Sequence, residues 1–333
     1  MLRSPVEKVR ASGVDEVDAE LLMKLQYDFP FTPDPIGDVA SKVGVDPEEA
    51  VSRLKKLAKA GILKRIGFYY NYRAQGKTAV LVAFAAGENY HILADMFKAD
   101  PDVTHNYLRD HPVYNVWIVI KRRSREELFK AIEDAARRSR SKGWIALFSK
   151  KTYKLSVKYD LYEGVSRSGK YWRVEERPPR PEDLGIDPLL PKIVRVLPIN
   201  LDPYRNAAER LGLTVEEVVE QVKVLLDKGV LMDPGAAIDG HRAGFTENAM
   251  VVMEPEGDPE ETCMRAAELP YSTHVVLRDP YPPGSWRHIC YFMVHAVDRE
   301  RISRVVEEAR RACRPRDVMA IFSLADLKPG AIR

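Results

Sequence analysis

Residues 39–61 read VASKVGVDPEEAVSRLKKLAKAG, and residues 207–229 read AAERLGLTVEEVVEQVKVLLDKG. Gly44 aligns with Gly212, Glu48-Glu49 with Glu216-Glu217, and Gly61 with Gly229, each 168 residues apart. Gly76 and Gly244 keep the same separation. Further along, Thr104-His105 aligns with Thr273-His274 and Leu108-Arg109-Asp110 with Leu277-Arg278-Asp279, 169 apart. Arg125-Glu126 then aligns with Arg299-Glu300 after an insertion in the second copy. A chain of 333 residues exceeds what one hydrophobic core usually supports. The repeat tells how it divides: two diverged copies of one unit, a pseudo-dimer within one chain.

Each copy opens on helices. Residues 18–25 and 36–43 read as short helices, the second ended by Gly44. Residues 47–60 read as a third, with Asp46 as N-cap, Pro47 at the first helical position and Gly61 at the stop. Its apolar stripe is Ala50, Val51, Leu54, Leu57 and Ala58; in the second copy Val215, Val219, Val222 and Leu226 are expected to be buried. A strand-like segment follows (62–72), completing a winged helix-turn-helix. The rest of the first copy reads strand 78–86, helix 90–99, strands 102–110 and 113–121, helix 124–139 and strand 145–160. Ser124 with Glu127 forms an expected capping box. In the second copy the strands fall near 247–254, 271–279, 287–297 and 316–326. The order βαββαβ is a ferredoxin-like sandwich. The expected organisation is α+β, a tandem duplication: winged helix-turn-helix 15–72, ferredoxin-like domain 75–163, linker 164–188, winged helix-turn-helix 189–240 and ferredoxin-like domain 244–330. The linker is rich in proline and charge and reads as an extended tether with an aromatic anchor at Tyr171-Trp172.

Composition narrows the function classes. Lys and Arg total 52 against 49 Asp and Glu. This balance does not suit a protein whose main affinity comes from neutralising phosphates. No run approaches the roughly 20 apolar residues that span a bilayer. Residues 1–10 lack the apolar centre of a signal peptide, so a cytoplasmic protein is expected. Cys263, Cys290 and Cys313 are odd in number and widely spaced, which speaks against a disulfide scaffold or a thiolate metal site.

A winged helix-turn-helix followed by a ferredoxin-like domain resembles the Lrp/AsnC family of transcription regulators, and that resemblance implies DNA binding. The residues argue otherwise. The turn expected to enter the major groove carries Asp46, Glu48 and Glu49 in one copy and Glu216 and Glu217 in the other. Within residues 15–66 there are eight Lys and Arg against ten Asp and Glu, and within 187–234 six against eight. Neither module has the basic footprint of a DNA reader.

The densest polar run is Thr104-His105-Asn106-Tyr107-Leu108-Arg109-Asp110-His111, followed by Tyr114-Asn115-Val116-Trp117. Strand alternation puts His105, Tyr107 and Arg109 on one face. That face offers an iron ligand or general acid, a phenol and a carboxylate clamp. The second copy keeps His274 and Arg278 and adds Tyr281, Trp286, His288 and Tyr291; it also carries His241-Arg242 after its wing. His91 and His295 are expected to be surface and structural residues.

These motifs resemble the siroheme decarboxylases. Leu25-Gln26-Tyr27-Asp28-Phe29-Pro30, Arg65-Ile66-Gly67 and the run from Val103 to Trp117 are similar to the A subunit. Residues 241–252, Thr273-His274 and the Pro-rich insert resemble the B subunit, so the chain looks like an A–B fusion. The resemblance implies removal of CO2 from the C12 and C18 acetates of siroheme in alternative heme or heme d1 biosynthesis. It implies no separate cofactor, since the iron arrives with the substrate. On that reading His105, Tyr107, His111, His241, His274 and His288 supply the iron ligand and proton donors, with His241 or His274 on the iron. Arg65, Arg73, Arg109, Arg242 and Arg278 hold carboxylates. Tyr114, Trp117, Tyr281, Trp286 and Tyr291 pack against the macrocycle. The expected partners are siroheme and didecarboxysiroheme, with neither membrane nor DNA, and further homo-oligomers are compatible with the pseudo-dimer. A heme-responsive DNA-binding regulator is the alternative, and a tetrapyrrole carrier without turnover the third reading.

Overall fold

The computed structural model describes residues 2–329. The first copy begins with α1 (Glu7–Ala11), α2 (Glu16–Tyr27), α3 (Pro35–Val43), α4 (Pro47–Lys59) and β1 (Leu63–Tyr70). It continues as β2 (Thr78–Phe84), α5 (Tyr90–Phe97), β3 (Val103–Arg109), β4 (Val116–Arg122), α6 (Arg125–Ser139) and β5 (Trp144–Thr152). Two short strands follow, β6 (Lys158–Asp160) and β7 (Val165–Arg167). The second copy has α7 (Leu190–Ile193), α8 (Arg205–Leu211), α9 (Val215–Asp227) and β8 (Leu231–Ile238). Its sandwich is β9 (Glu247–Glu254), α10 (Pro259–Glu268), β10 (Thr273–Tyr281), β11 (Cys290–Ala296), α11 (Arg299–Cys313) and β12 (Asp317–Asp326). No described helix is long and apolar enough to cross a membrane.

The compact bodies are not the two copies. Unit 1 gathers the helical modules of both (residues 2–75, 155–246 and 295–301), and unit 2 gathers both sandwiches (76–154, 247–294 and 302–329). In unit 1, carboxylates and hydroxyls satisfy the helix starts. Asp15 caps α2, Asp34 caps α3, and Asp46 accepts from the Glu48 and Glu49 amides at the start of α4. The acidic turn thus complements its own helix dipole. Arg53 of α4 donates to Glu49, Asp15 and Asp18, fastening α4 to α2. On α9 the buried stripe is Val218, Val219, Val222 and Leu225. It is rotated slightly from the expected one: Val215 and Leu226 are only partly buried. The wings pair with each other, β1 antiparallel to β8. At their crossing Gly67 faces Gly235. Both have positive φ, and an added Cβ would come within 2.5 Å of the Arg195 carbonyl or 1.9 Å of the Leu25 carbonyl.

The segment read as a tether is structured at its start. Val165 and Ser166 are buried, β7 pairs with β6, and Val165 pairs with Ala296. Further on, the Tyr171 ring meets Phe31 edge-on at 5.5 Å.

In unit 2 each sandwich has the strand order expected of βαββαβ, β5-β2-β4-β3 and β12-β9-β11-β10. β3 pairs with β12, and β10 with β5, so the eight strands close into a ring. Closure removes the open sheet edges. Alternation divides the side chains. Val80, Val82 and Phe84 of β2 face outward onto Leu93 and Phe97 of α5 and Leu128 and Ile132 of α6. Leu81, Ala83, Trp117, Ile145 and Leu147 face inward and meet Met250, Val252, Tyr291 and Ile321 of the second copy. At the start of α6, Ser124 caps the Glu127 amide, while the Glu127 carboxylate accepts from Arg123 rather than closing the box on Ser124.

The cysteine expectation is corrected here. Cys263 of α10 and Cys290 of β11 are disulfide-bonded, with Cα atoms 5.7 Å apart, and Cys313 is free and buried. Residue spacing carries no sign of this pair. It forms because α10 packs on β10, whose Leu277 is the register partner of Cys290. With the two cysteines 27 positions apart in sequence, the chain-entropy relation gives a contribution of about 3–4 kcal/mol. Replacing both cysteines by serine should lower the unfolding free energy by that amount in urea titrations. A loss below about 1 kcal/mol would mean that the bond adds little constraint in solution.

Candidate active site

The inner face of the ring in unit 2 collects most of the residues singled out in the sequence. The β3–β4 register sets His105 opposite Val119 and Tyr107 opposite Trp117, so all four point to the interior. His274 is the second residue of β10 and has φ +49°, at a register break between Thr273 and Val276. His105 and His274 hold equivalent positions in the two copies. Their rings meet with centroids 6.2 Å apart and planes nearly perpendicular (84°). Thr104 Oγ1 lies 3.0 Å from His105 Nδ1 and sets the ring's orientation, and Tyr107 lies 6.3 Å away.

The two arginines follow the same pseudo-symmetry. Arg109 donates to the Ile321 carbonyl on β12 (3.1 Å), and Arg278 to the Leu147 carbonyl on β5 (3.3 Å). Each therefore reaches from its own copy to the last strand of the other. The Arg109 guanidinium lies over Tyr107, and that of Arg278 over Tyr291. Arg109 is buried and Arg278 partly so.

A second cluster closes one end of the ring, where the β3–β4 turn meets the insert of the second copy. Trp286 is its centre, with ring centroids 5.5 Å from His111, 6.1 Å from Tyr114, 5.8 Å from Trp117 and 5.7 Å from His288. Trp117 Nε1 donates to the Tyr114 carbonyl and Trp286 Nε1 to the His288 carbonyl. His111 Nδ1 accepts from the Val113 and Tyr114 amides (3.2 and 3.0 Å), so a neutral His111 carries its proton on Nε2. Burial holds the His111 imidazole below its usual pKa, against the opposing pull of Asp110 and with a smaller contribution from His288. Tyr291 is fully enclosed, and burial pushes its phenol well up. His288 Nε2 lies 2.8 Å from Asp317 Oδ2. Asp317 carried no signal in the sequence: it is the first residue of β12, and only the ring brings it to His288.

Other expected site residues lie elsewhere. Tyr281 is on the opposite face of unit 2, stacked on Trp144 and packed against Phe129 of α6. Arg65, Arg73, His241 and Arg242 belong to unit 1. Arg65 is buried in the wing, and burial lowers its guanidinium to about 10, with Asp233 opposing. The same Asp233 binds the buried Lys158. Arg73 pairs with Glu176. His241 and Arg242 are exposed after β8, with the Arg242 guanidinium against the Ala60 carbonyl. His91 is exposed, and His295 is buried against Tyr159.

Comparison with known proteins agrees with this architecture. The model of the AsnC-like ligand binding domain matches residues 75–154 and 242–328, and the siroheme decarboxylase NirDL-like HTH domain matches 18–63 and 189–231. A siroheme decarboxylase from Hydrogenobacter thermophilus is 26% identical over 94% of this chain and 93% of its own length. The alpha subunit of siroheme decarboxylase from Desulfovibrio desulfuricans is 30% identical over 47% of this chain and 92% of the subunit. The beta subunit from that organism is 33% identical over 40% of this chain and 83% of the subunit. The crystal structure of the siroheme decarboxylase NirDL in complex with an iron-uroporphyrin III analogue superposes with a TM-score of 0.61 at 24% identity, covering 94% of this chain and 92% of that one. Together with the duplicated AsnC-like framework, these matches establish that the chain belongs to the siroheme decarboxylase family.

Proposed function

We propose that the chain removes CO2 from the C12 and C18 acetate side chains of siroheme, giving 12,18-didecarboxysiroheme on an alternative route to heme or heme d1. The observation that carries this reading is the His105–His274 pair inside unit 2, flanked by Arg109 and Arg278. No separate cofactor is needed, because the substrate brings its own iron.

The chemistry is redox-neutral. The bond between the methylene and carboxylate carbons breaks, CO2 leaves, and the electron pair remaining on the methylene carbon is delocalised by the macrocycle. A proton delivered to that carbon completes a methyl group. Arg109 and Arg278 hold the other carboxylates; Arg65, Arg73 and Arg242 belong to unit 1 and are left out of this site. Guanidinium suits planar anions. His274 is the ligand to the substrate iron; His241, the other residue expected there, belongs to unit 1. His105, Tyr107, His111 and His288 are the proton donors. The indoles of Trp117 and Trp286, with Tyr114 and Tyr291, give an apolar surface that favours a neutral leaving molecule over a carboxylate. Tyr281, stacked on Trp144, contributes at most from the rim. The helix-turn-helix modules act as packing and pairing bodies rather than DNA readers. Arg53, a cation of α4, is held by three carboxylates of its own module. A cytoplasmic location follows from the substrate's biosynthetic role.

Anaerobic incubation with siroheme, followed by mass spectrometry, tests the proposal. Successive losses of two CO2 are expected. If siroheme is recovered intact under both reducing and oxidising conditions, the chain is a carrier or a sensor instead.

A further inference from the structure

The dyad at the end of the ring has a feature that the family likeness does not supply. His288 is largely buried, and its Nε2 lies 2.8 Å from the carboxylate of Asp317, the first residue of β12. The carbonyl of His288 accepts from the Trp286 indole, which fixes its backbone. Asp317 is the register partner of Glu254 on β9, so both head toward the inner face with Val252 and Met319. The contact draws the Asp317 carboxyl below its usual pKa, hydrogen bonding to His288 being the main cause. The charged or titratable groups around the dyad are His111 on the β3–β4 turn, Glu254 on β9, which pairs with Arg316, and Arg310 on α11.

We infer that Asp317 is a positioning residue for proton delivery: it accepts the hydrogen bond of His288 Nε2–H and leaves Nδ1 as the atom that hands a proton to the substrate. This rests on the decarboxylase reading above. The carboxylate does two things. It holds one tautomer and ring orientation, and it stabilises the imidazolium that must form before each delivery. His111 across Trp286 has the opposite arrangement. Its Nδ1 is occupied by backbone amides and its Nε2 carries the proton. The two imidazoles on Trp286 therefore present different nitrogens, and only His288 has a carboxylate behind it. In the first copy the place corresponding to Asp317 is Gly143, and His288 corresponds to Tyr114, so the device exists once per chain.

The test is Asp317→Asn, an exposed and nearly isosteric change that leaves the core alone. Turnover should fall about tenfold or more with KM little changed, because the carboxylate touches no substrate. The alkaline limb of the pH–rate profile should move to lower pH, since removing the carboxylate makes the imidazolium easier to deprotonate. Asp317→Glu should restore part of the rate. His288→Ala should lose about 100-fold or more, and the double variant His288→Ala/Asp317→Asn should lose no more than His288→Ala alone. Additive losses, or an unmoved pH profile, would overturn the assignment. Nitrogen NMR of the free protein separates this inference from the parent reading. It should show His288 protonated on Nε2 in the wild type and a mixed tautomer in Asp317→Asn. If the wild type releases no CO2 from siroheme while the tautomer is held as described, the decarboxylase reading fails and the positioning stands. If the tautomer is unaffected by Asp317→Asn, the positioning fails whatever the activity.

Discussion

His105→Ala should slow CO2 release from siroheme by a factor of about 10²–10⁴, the usual range for loss of a positioned proton donor, while the iron spectrum of bound siroheme stays unchanged. His274→Ala should do the converse to the spectrum: it removes the proposed iron ligand, so the bands shift and binding weakens. The two imidazoles share equivalent positions and stand 6.2 Å apart, so equal effects would be the naive expectation. Their surroundings break the tie. The Thr104 hydroxyl holds His105 Nδ1 and thereby directs Nε2. His274 sits at a positive-φ residue in a register break, a strained placement of the kind found where a side chain must be re-aimed. Absorption spectra and single-turnover rates of the two variants, read together, check the division. A shifted spectrum in His105→Ala with none in His274→Ala would reverse the roles. Unchanged spectra in both would remove both imidazoles from the iron.

Trp117→Ala should lower the unfolding free energy by about 3–5 kcal/mol, the range for removing a large buried aromatic. Trp117 is 1% exposed and lies among inward-facing residues of both copies. Its truncation opens a cavity against Trp286 and removes the donor to the Tyr114 carbonyl. Both losses fall on the contact between the two sandwiches, so they add to the transfer term. Tyr281→Ala is the control, because Tyr281 is 40% exposed and packs on the other face of its strand; it should cost under about 1.5 kcal/mol. Denaturant unfolding followed by near-ultraviolet circular dichroism reports on the indole cluster directly. A cost for Trp117→Ala no larger than the control would mean that the interior is loosely packed.

The sequence carried more of the fold than of the site. Glycines at matched positions, N-caps and apolar periodicity are local signals, and the helices and strands they indicate are present with shifts of a few residues. The α9 stripe was misjudged because Val218 and Leu225 are as apolar as Val215 and Leu226, and only the packing partner chooses between them. His105, Tyr107 and Arg109 were legible as one face because strand alternation is obligatory. Tyr281 stands three residues past Arg278, and the pairing with β5 is regular between them, so alternation itself puts it on the outer face; its aromatic character, not its parity, had made it attractive. The Cys263–Cys290 bond and the His288–Asp317 contact both join positions 27 and 29 residues apart. No local rule connects such positions.

The amino-acid order alone determined that there are two copies of one βαββαβ unit behind a helical module, that neither helical module carries a net positive charge, and that one strand carries a histidine, a tyrosine and an arginine together. Those properties depend on repeats, charge and periodicity, which are written along the chain. Tertiary structure alone decided that sandwich joins sandwich and module joins module, that β3 pairs with β12 and β10 with β5, and that His105 therefore meets His274. These pairings follow from closing exposed sheet edges and burying matched inner faces, free-energy gains that exist only once distant segments are in contact.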